Sequence, residues 1–163
     1  STLAGGLESP YKMITIRRTN SNDKDFHYLV DKLNKYLLQQ YGALQEFYSQ
    51  FNKIDDIPNV VIVYVDNIPA GCGCFKRFDE DSVELKRMFV TDKYRGKGVG
   101  KAVLKELELW AAELGNKELV LEMGNRQPEA AILYKKQGYR ITPNYGQYIG
   151  MEETSICMRK ELN

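Results

Sequence analysis

The residues best suited to chemistry form a glycine-rich turn that carries three basic side chains. The segment runs Arg-Gly-Lys-Gly-Val-Gly-Lys over residues 95–101, between a strand-like segment and a helical apolar pattern. Glycine lets a backbone approach a ligand closely, and the first N–H groups of a helix lack partners within it. Basic residues are otherwise unfavourable at a helix start. The segment therefore predicts an anion-binding turn, the plain alternative being a glycine turn before a surface helix.

Two common phosphate-binding motifs do not match this spacing. A Walker P-loop ends in Gly-Lys-Ser/Thr, whereas here Ala102 takes the place of the hydroxyl residue. The dinucleotide-binding pattern Gly-x-Gly-x-x-Gly fails because Val103 stands at the third glycine position. The pattern that remains is Arg95-x-x-Gly98-x-Gly100.

A second segment, from Gln127 to Gly138-Tyr139, has the pattern of a helix closed by a glycine. With the glycine turn, it resembles the GNAT superfamily of acetyl-CoA-dependent N-acetyltransferases. In that family the turn holds the coenzyme A pyrophosphate. The second family pattern is Asn, two residues, Ala, three residues, Tyr, then Gly and an aromatic residue. Ala130, Tyr134 and Gly138-Tyr139 match it, but Gln127 replaces the asparagine and Asn125 lies two residues earlier.

The resemblance implies acetyl-CoA as co-substrate and no metal. It places the pantetheine arm in a gap between the central strand, 84–90, and the strand at 118–123. The Met88 or Phe89 amide would donate to the thioester oxygen, and either Asn125 or Gln127 would contact pantetheine. The residues expected to bind the cofactor are Met88, Phe89, Val90, Arg95, Gly96, Lys97, Gly98, Val99, Gly100, Lys101, Asn125, Gln127 and Tyr134.

The resemblance also implies two catalytic residues. Glu84 matches the position at which some family members carry a glutamate base, and Tyr134 matches the tyrosine that protonates the leaving thiolate. Two plainer roles stay open, since a strand carboxylate commonly pairs with Lys or Arg and a helix tyrosine commonly packs in a core. The predicted reaction is direct attack by a primary amine in a ternary complex. The alternatives are a non-catalytic acyl-CoA-binding sensor of the same fold and a nucleotide-phosphate-binding protein.

The acceptor is expected to be a small molecule or peptide with an amine: a small amine, an amino acid, a peptide or an aminoglycoside. Its pocket is expected between the first two helices and the loop at 143–150. Ordinary packing explains the aromatic residues of these segments equally well. The candidate lining residues are Tyr36, Tyr41, Tyr48, Tyr145 and Tyr148.

Apolar periodicity predicts the elements that position these residues. The expected strands are 13–19, 60–65, 68–77, 84–90, 118–123, 139–142 and 153–160, and the expected helices are 26–41, 44–51, 99–114 and 127–137. The predicted fold is α/β, of the mixed α+β kind: a mostly antiparallel mixed sheet of six or seven strands with helices on both faces, in the GNAT order. The strand at 118–123 should run parallel to the central strand through a right-handed crossover.

Length and composition limit the number of domains and the classes of partner. The 163 residues carry a net charge of +1, with 43% hydrophobic and 28% charged residues. One domain is expected at 13–163 after a tail at 1–12. The balanced charge predicts neither nucleic-acid nor membrane binding, and the longest apolar run, 60–65, is too short to span a bilayer. The sequence leaves open whether the protein forms a homodimer.

The single histidine and the three cysteines give no competing site. His27 is expected to be a helix side chain rather than a base, because no motif places a nucleophile beside it. An odd number of cysteines does not indicate a disulfide framework, so a cytoplasmic protein is expected. Cys72 and Cys74 share a strand face, but Cys157 is remote from them in sequence, so small buried residues are expected rather than metal ligands.

Overall fold

The computed structural model describes residues 13–42 and 56–163, which share one seven-stranded sheet. The strands are β1 Ile14–Thr19, β2 Asn59–Val65, β3 Ile68–Arg77, β4 Ser82–Val90, β5 Glu118–Gly124, β6 Arg140–Thr142 and β7 Ser155–Glu161. The helices of the described residues are α1 Lys24–Tyr41, α2 Val99–Glu113 and α3 Pro128–Lys136. In space the strands follow the order β1-β2-β3-β4-β5-β7-β6. The predicted mixed fold is confirmed, while the predicted tail at 1–12 and helix at 44–51 lie outside the described residues.

Local signals account for the element ends. The Asp23 side chain accepts a hydrogen bond from the Asp25 N–H at 2.9 Å and caps the start of α1, and Gly42 ends that helix with a φ of 55°. Asp66 and Asn67, with φ values of 48° and 68°, form the tight turn between β2 and β3. These residues are acidic, amide or glycine, the types that suit such positions.

Several predicted boundaries were wrong by one or two residues, and two of these have a clear local cause. Tyr139 lies before β6, because its N–H donates to the Tyr134 carbonyl at 3.0 Å and completes the end of α3. Glu153 lies in a turn before β7, because the N–H groups of Thr154 and Ser155 both donate to the Met151 carbonyl.

The described strands pair antiparallel except for β4 and β5, which are parallel as predicted. This pair joins only Ser82–Glu84 to Glu118–Val120, although both strands continue further. On its other side β4 stays paired with β3 as far as Val90. The two strands therefore diverge, as the resemblance implied.

A β-bulge bends β4 beside this divergence. Cys72 and Cys74 of β3 face Phe89 and Lys86 of β4, so β4 has two residues where β3 has one. Arg87 lies in the bulge with a φ of 56°, which is uncommon outside glycine. The extra residue reverses the side-chain alternation, so Phe89 and Lys86 point to the same face of the sheet.

Helices cover both faces of the sheet. On one face α1 packs Phe26 and Leu29 against β2 and β3. On the other face α2 and α3 pack against the core, and a Cβ at Gly73 would lie 2.9 Å from Leu107 Cδ1, so glycine permits the close approach of α2. A smaller cluster on the α1 face extends beyond β5 and consists of Val120, Tyr145, Tyr148 and Cys157. Within residues 13–42 and 56–163 no helix is both long and apolar enough to cross a bilayer.

Candidate active site

The divergence of β4 and β5 opens a cleft, which we define by its lining residues. It contains about 730 Å³ of empty space, part of it open to solvent. The lining comes from α1, β4, β5 and the start and body of α3. The residues are Leu33, Leu37, Tyr41, Leu85, Lys86, Arg87, Met88, Leu121, Glu122, Met123, Gly124, Gln127 and Tyr134.

The glycine turn lies next to this cleft. Gly96 and Gly98 have φ values of 75° and 85°, and Gly98 directly precedes α2. A Cβ at Gly100 would lie 3.0 Å from Leu133 Cδ2 and 3.6 Å from Met88 Cε, so the first turn of α2 adjoins both α3 and the cleft. The turn is exposed, as are the side chains of Lys97 and Lys101. A phosphate at this helix start would therefore meet free N–H groups and two cations beside the cleft.

Arg95 makes contacts that the sequence did not reveal. Its Nε donates to the Val90 carbonyl at 3.0 Å, its guanidinium pairs with Asp92 at 2.8 Å, and it lies over the Tyr36 ring at 4.9 Å. These contacts fasten the turn to the end of β4 and to α1. A direct contact between Arg95 and a phosphate stays a prediction.

Tyr134 on α3 is buried and lines the cleft. Burial and the nearby charge of Glu122 raise the pKa of its hydroxyl well above the usual range, so the hydroxyl is protonated at neutral pH. Its ring contacts Tyr139 edge to face. The side chain is therefore a core residue that also lines the cleft, and its role as proton donor stays a prediction.

The two amides proposed for pantetheine differ in their surroundings. Asn125 Nδ2 donates to the Glu153 carbonyl at 2.5 Å, which turns the amide towards the loop before β7. Gln127 lines the cleft, and its Nε2 donates to the Tyr41 hydroxyl at 3.4 Å. Tyr41 also lies so close to Gly124 that a Cβ there would meet its hydroxyl. The geometry favours Gln127 over Asn125 as the amide that faces a ligand.

Glu84 is buried at the point where β4 and β5 begin to diverge. Its carboxylate accepts a hydrogen bond from the Tyr145 hydroxyl at 2.7 Å and lies 3.5 Å from Lys86 Nζ. Lys86 Nζ also donates to the Tyr148 hydroxyl at 3.3 Å, and burial lowers the pKa of Lys86. Tyr145 and Tyr148 therefore support this charged pair instead of lining the cleft, whereas Tyr41 does line it.

Sequence reasoning missed Glu122 and the basic pair Lys86 and Arg87. Glu122 is half-buried in the cleft, and burial raises its pKa to about 7. It is the one charged residue inside the apolar run of β5, a signal that the sequence does carry. Arg87 donates to Asn34 Oδ1 of α1 at 2.7 Å.

Other groups that the sequence singled out lie in structural settings. His27 Nε2 lies 2.6 Å from the Ser21 carbonyl, at the exposed start of α1. Cys72 and Cys74 are buried thiols that donate to the carbonyls of Arg87 and Lys86. Burial raises the pKa of both thiols, to about 12 for Cys74. Among the described residues no group of three or more His, Cys, Asp or Glu side chains could hold a metal ion.

Comparisons with known proteins identify the family of the chain. The profile of the acetyltransferase (GNAT) domain matches residues 56–141. An IAA acetyltransferase of Azospirillum brasilense is 29% identical over 152 residues, which cover 91% of this chain and 98% of that protein.

Solved structures have the same fold. One from Klebsiella pneumoniae, whose name assigns it to the acyl-CoA N-acyltransferases, is 26% identical with a TM-score of 0.73, over 93% of this chain and 99% of that chain. The PaiA N-acetyltransferase of Thermoplasma acidophilum was solved with coenzyme A. It is 20% identical with a TM-score of 0.69, over 92% of this chain and 99% of that chain. At this identity the similarity supports the fold alone. The profile spans more than half of the 163 residues and includes β4, the glycine turn, β5 and α3. The chain belongs to the GNAT acetyltransferase family.

Proposed function

We propose that the chain is an acetyl-CoA-dependent N-acetyltransferase that acetylates a primary amine by direct attack in a ternary complex. The observation that carries the proposal is the cleft between the diverging β4 and β5. This cleft adjoins the glycine turn at the start of α2 and contains both a tyrosine hydroxyl and a carboxylate. A glycine turn suited to an anion, a cleft and a buried tyrosine hydroxyl thus occur together, which a phosphate-binding turn alone would not require.

The chain has suitable groups for each part of the cofactor. The amides of residues 96–101, with Lys97 and Lys101, would hold the pyrophosphate. Phe89 and Val90 of β4 have register partners on β3, and none of residues 88–90 has one on β5, so backbone groups on the β5 side are available to pantetheine. Gln127 would add a side-chain amide.

The protein residues would then transfer protons and hold the reacting groups in position. Acetyl-CoA supplies the acetyl group as a thioester. The amine nitrogen forms a C–N bond to the acetyl carbon as the C–S bond breaks. The ammonium loses two protons overall, one of which ends on the thiol while the other reaches solvent. Tyr134 is proposed to donate to the departing sulfur, and a carboxylate is proposed to take the first proton from the ammonium, directly or through water. Glu84 as that carboxylate stays a prediction.

No acyl-cysteine is needed in this scheme. Burial keeps Cys72 and Cys74 protonated, and their thiols point at backbone carbonyls. A protonated thiol is a poor nucleophile. The acetyl group is therefore expected to pass to the amine without a covalent enzyme intermediate.

The test combines binding with turnover. Acetyl-CoA, ATP and NAD are compared in a thermal-shift assay, and thiol release is then measured with spermidine, tyramine, lysine, a peptide with a free N-terminus and kanamycin. We expect the largest shift with acetyl-CoA and thiol release that requires an amine. Stabilisation without release from any amine would favour the acyl-CoA sensor, and a preference for ATP or NAD would overturn the proposal.

A further inference from the structure

We infer that Glu122, rather than Glu84, is the catalytic carboxylate that takes the proton from the acceptor ammonium. The inference rests on the proposed function and names the proton acceptor at that same site. Both carboxylates lie on the same face of the sheet, on the neighbouring strands β4 and β5. What separates them is their access to the cleft.

Glu84 is closed off from the cleft. Its residue is 4% exposed, and it lies in the last register pair that joins β4 to β5, opposite Val120. Its two oxygens are taken up by the Tyr145 hydroxyl at 2.7 Å and by Lys86 Nζ at 3.5 Å. It does not line the cleft. An ammonium could reach this carboxylate only by displacing a buried ion pair.

Glu122 lies two residues beyond the last paired position of β5, where the strands have separated. It is half-buried and lines the cleft together with Met88 and Tyr134. Ser155 and Tyr148 hydrogen-bond to its carboxylate and orient it. The proton acceptor on β5 and the proton donor on α3 would then line one cleft.

The charges around Glu122 suit this role. Burial raises its pKa to about 7, the charge of Glu84 raises it, and Lys86 lowers it. A carboxyl of this pKa is ionised above neutral pH and protonated below it, so activity should rise as the pH increases through about 7. The titratable or charged groups that face it come from β4, α1, α3, the loop before β7 and β7 itself. They are Glu84, Lys86, Tyr41, Tyr134, Tyr148 and Cys157.

Three variants separate the two carboxylates in a pH profile of kcat/KM, measured with the most active amine of the panel. Glu122→Gln keeps the shape of the side chain and should lose about 10²-fold or more in kcat/KM, together with the rise near pH 7. Glu84→Gln should keep the rise but move it to lower pH, because the charge that raises the pKa of Glu122 is gone. Lys86→Met should move the rise to higher pH. Unchanged stabilisation by acetyl-CoA shows that each variant is folded.

Two further measurements do not depend on that profile. In ligand-free protein the ¹³C carboxyl resonance that disappears in Glu122→Gln should titrate near pH 7. A weakly basic amine, already neutral at pH 7, should restore much of the lost rate to Glu122→Gln, because no proton has to be removed before attack.

The contrary outcomes are distinct. A rise that survives in Glu122→Gln and vanishes in Glu84→Gln would overturn the inference and leave the acetyltransferase intact. A Glu122 carboxyl that titrates near pH 4, the usual range of glutamate, would also overturn it. Absence of thiol release from the wild-type protein would refute the proposed function instead, before any variant is compared.

Discussion

Replacing Gly98 by glutamate is expected to abolish cofactor binding while the fold survives, and Gly115→Glu is the matched control. Gly98 and Gly115 have φ values of 85° and 90°, and a Cβ at either would meet no atom within 4 Å. One glycine precedes α2 and the other follows it. The two variants therefore share backbone strain and open space, and differ in which end of the helix receives the carboxylate.

The expected changes in Tm follow from the backbone conformation at the two glycines and from the stabilisation by the ligand. A residue other than glycine in the left-handed region costs about 1–2 kcal/mol, which lowers the Tm of a domain of this size by about 2–8 °C. Both variants should show this loss, with Gly115→Glu slightly the less stable because its charge opposes the helix dipole. Acetyl-CoA at a hundred times its Kd stabilises by about 2.7 kcal/mol, or about 5–11 °C.

The assay is thermal unfolding of the wild type and both variants with and without acetyl-CoA. The wild type and Gly115→Glu should gain the full ligand shift. Gly98→Glu should gain none, because its side chain and negative charge occupy the proposed pyrophosphate site. A normal shift in Gly98→Glu would refute the site, and loss of the shift in both variants would show that strain in α2, not the turn, explains the effect.

Three other predictions concern the cleft. Tyr134→Phe should lower kcat by about 10²–10⁴-fold with little change in the acceptor KM, and a fully active variant would leave Tyr134 a core residue only. Gln127→Ala should weaken acetyl-CoA binding in calorimetry more than Asn125→Ala does, because the Asn125 amide is held by a loop carbonyl; the reverse order would contradict the geometry. Gly71→Ala and Gly73→Ala should each cost about 1–3 kcal/mol in urea unfolding. Gly71→Ala should also weaken acetyl-CoA binding, because its Cβ would lie 2.7 Å from the first residue of α2, and an affinity equal to that of the wild type would argue against this.

The parts of the fold that could be predicted from the sequence are those that local chemistry decides. The turn at Asp66 and Asn67, the cap at Asp23 and the glycine ends of α1 and α3 follow from residue types at fixed offsets. The bulge at Arg87 could not be predicted in the same way, because it depends on how β3 and β4 align. The sequence signals the bulge by the basic pair Lys86-Arg87, which interrupts the otherwise apolar second half of β4.

The features of the site likewise fall into those that local sequence predicts and those that depend on contacts between distant segments. The glycine turn and Tyr134 belong to sequence motifs, so residue types and spacing are enough to propose them. The direction of the Arg95 side chain could not be predicted, because its partners include Tyr36 on a different element. The choice between Glu84 and Glu122 also depends on a long-range fact, namely that the pairing of β4 with β5 stops at Glu84. A lone carboxylate in the apolar run of β5 was the available signal for Glu122.

The early end of the β4–β5 pairing explains why the other features of the site occur together. If the two strands paired along their full length, Glu122 would sit inside a continuous sheet, and neither it nor Tyr134 would share a cleft with Met88. Because pairing stops at Glu84, the β5-facing edge of β4 is left without a register partner over residues 85–90. Unpaired backbone groups in a protein interior are costly unless something satisfies them. An extended chain that carries amide groups, as pantetheine does, would supply hydrogen bonds there that β5 does not. Binding of the cofactor and completion of the sheet edge would then be the same event.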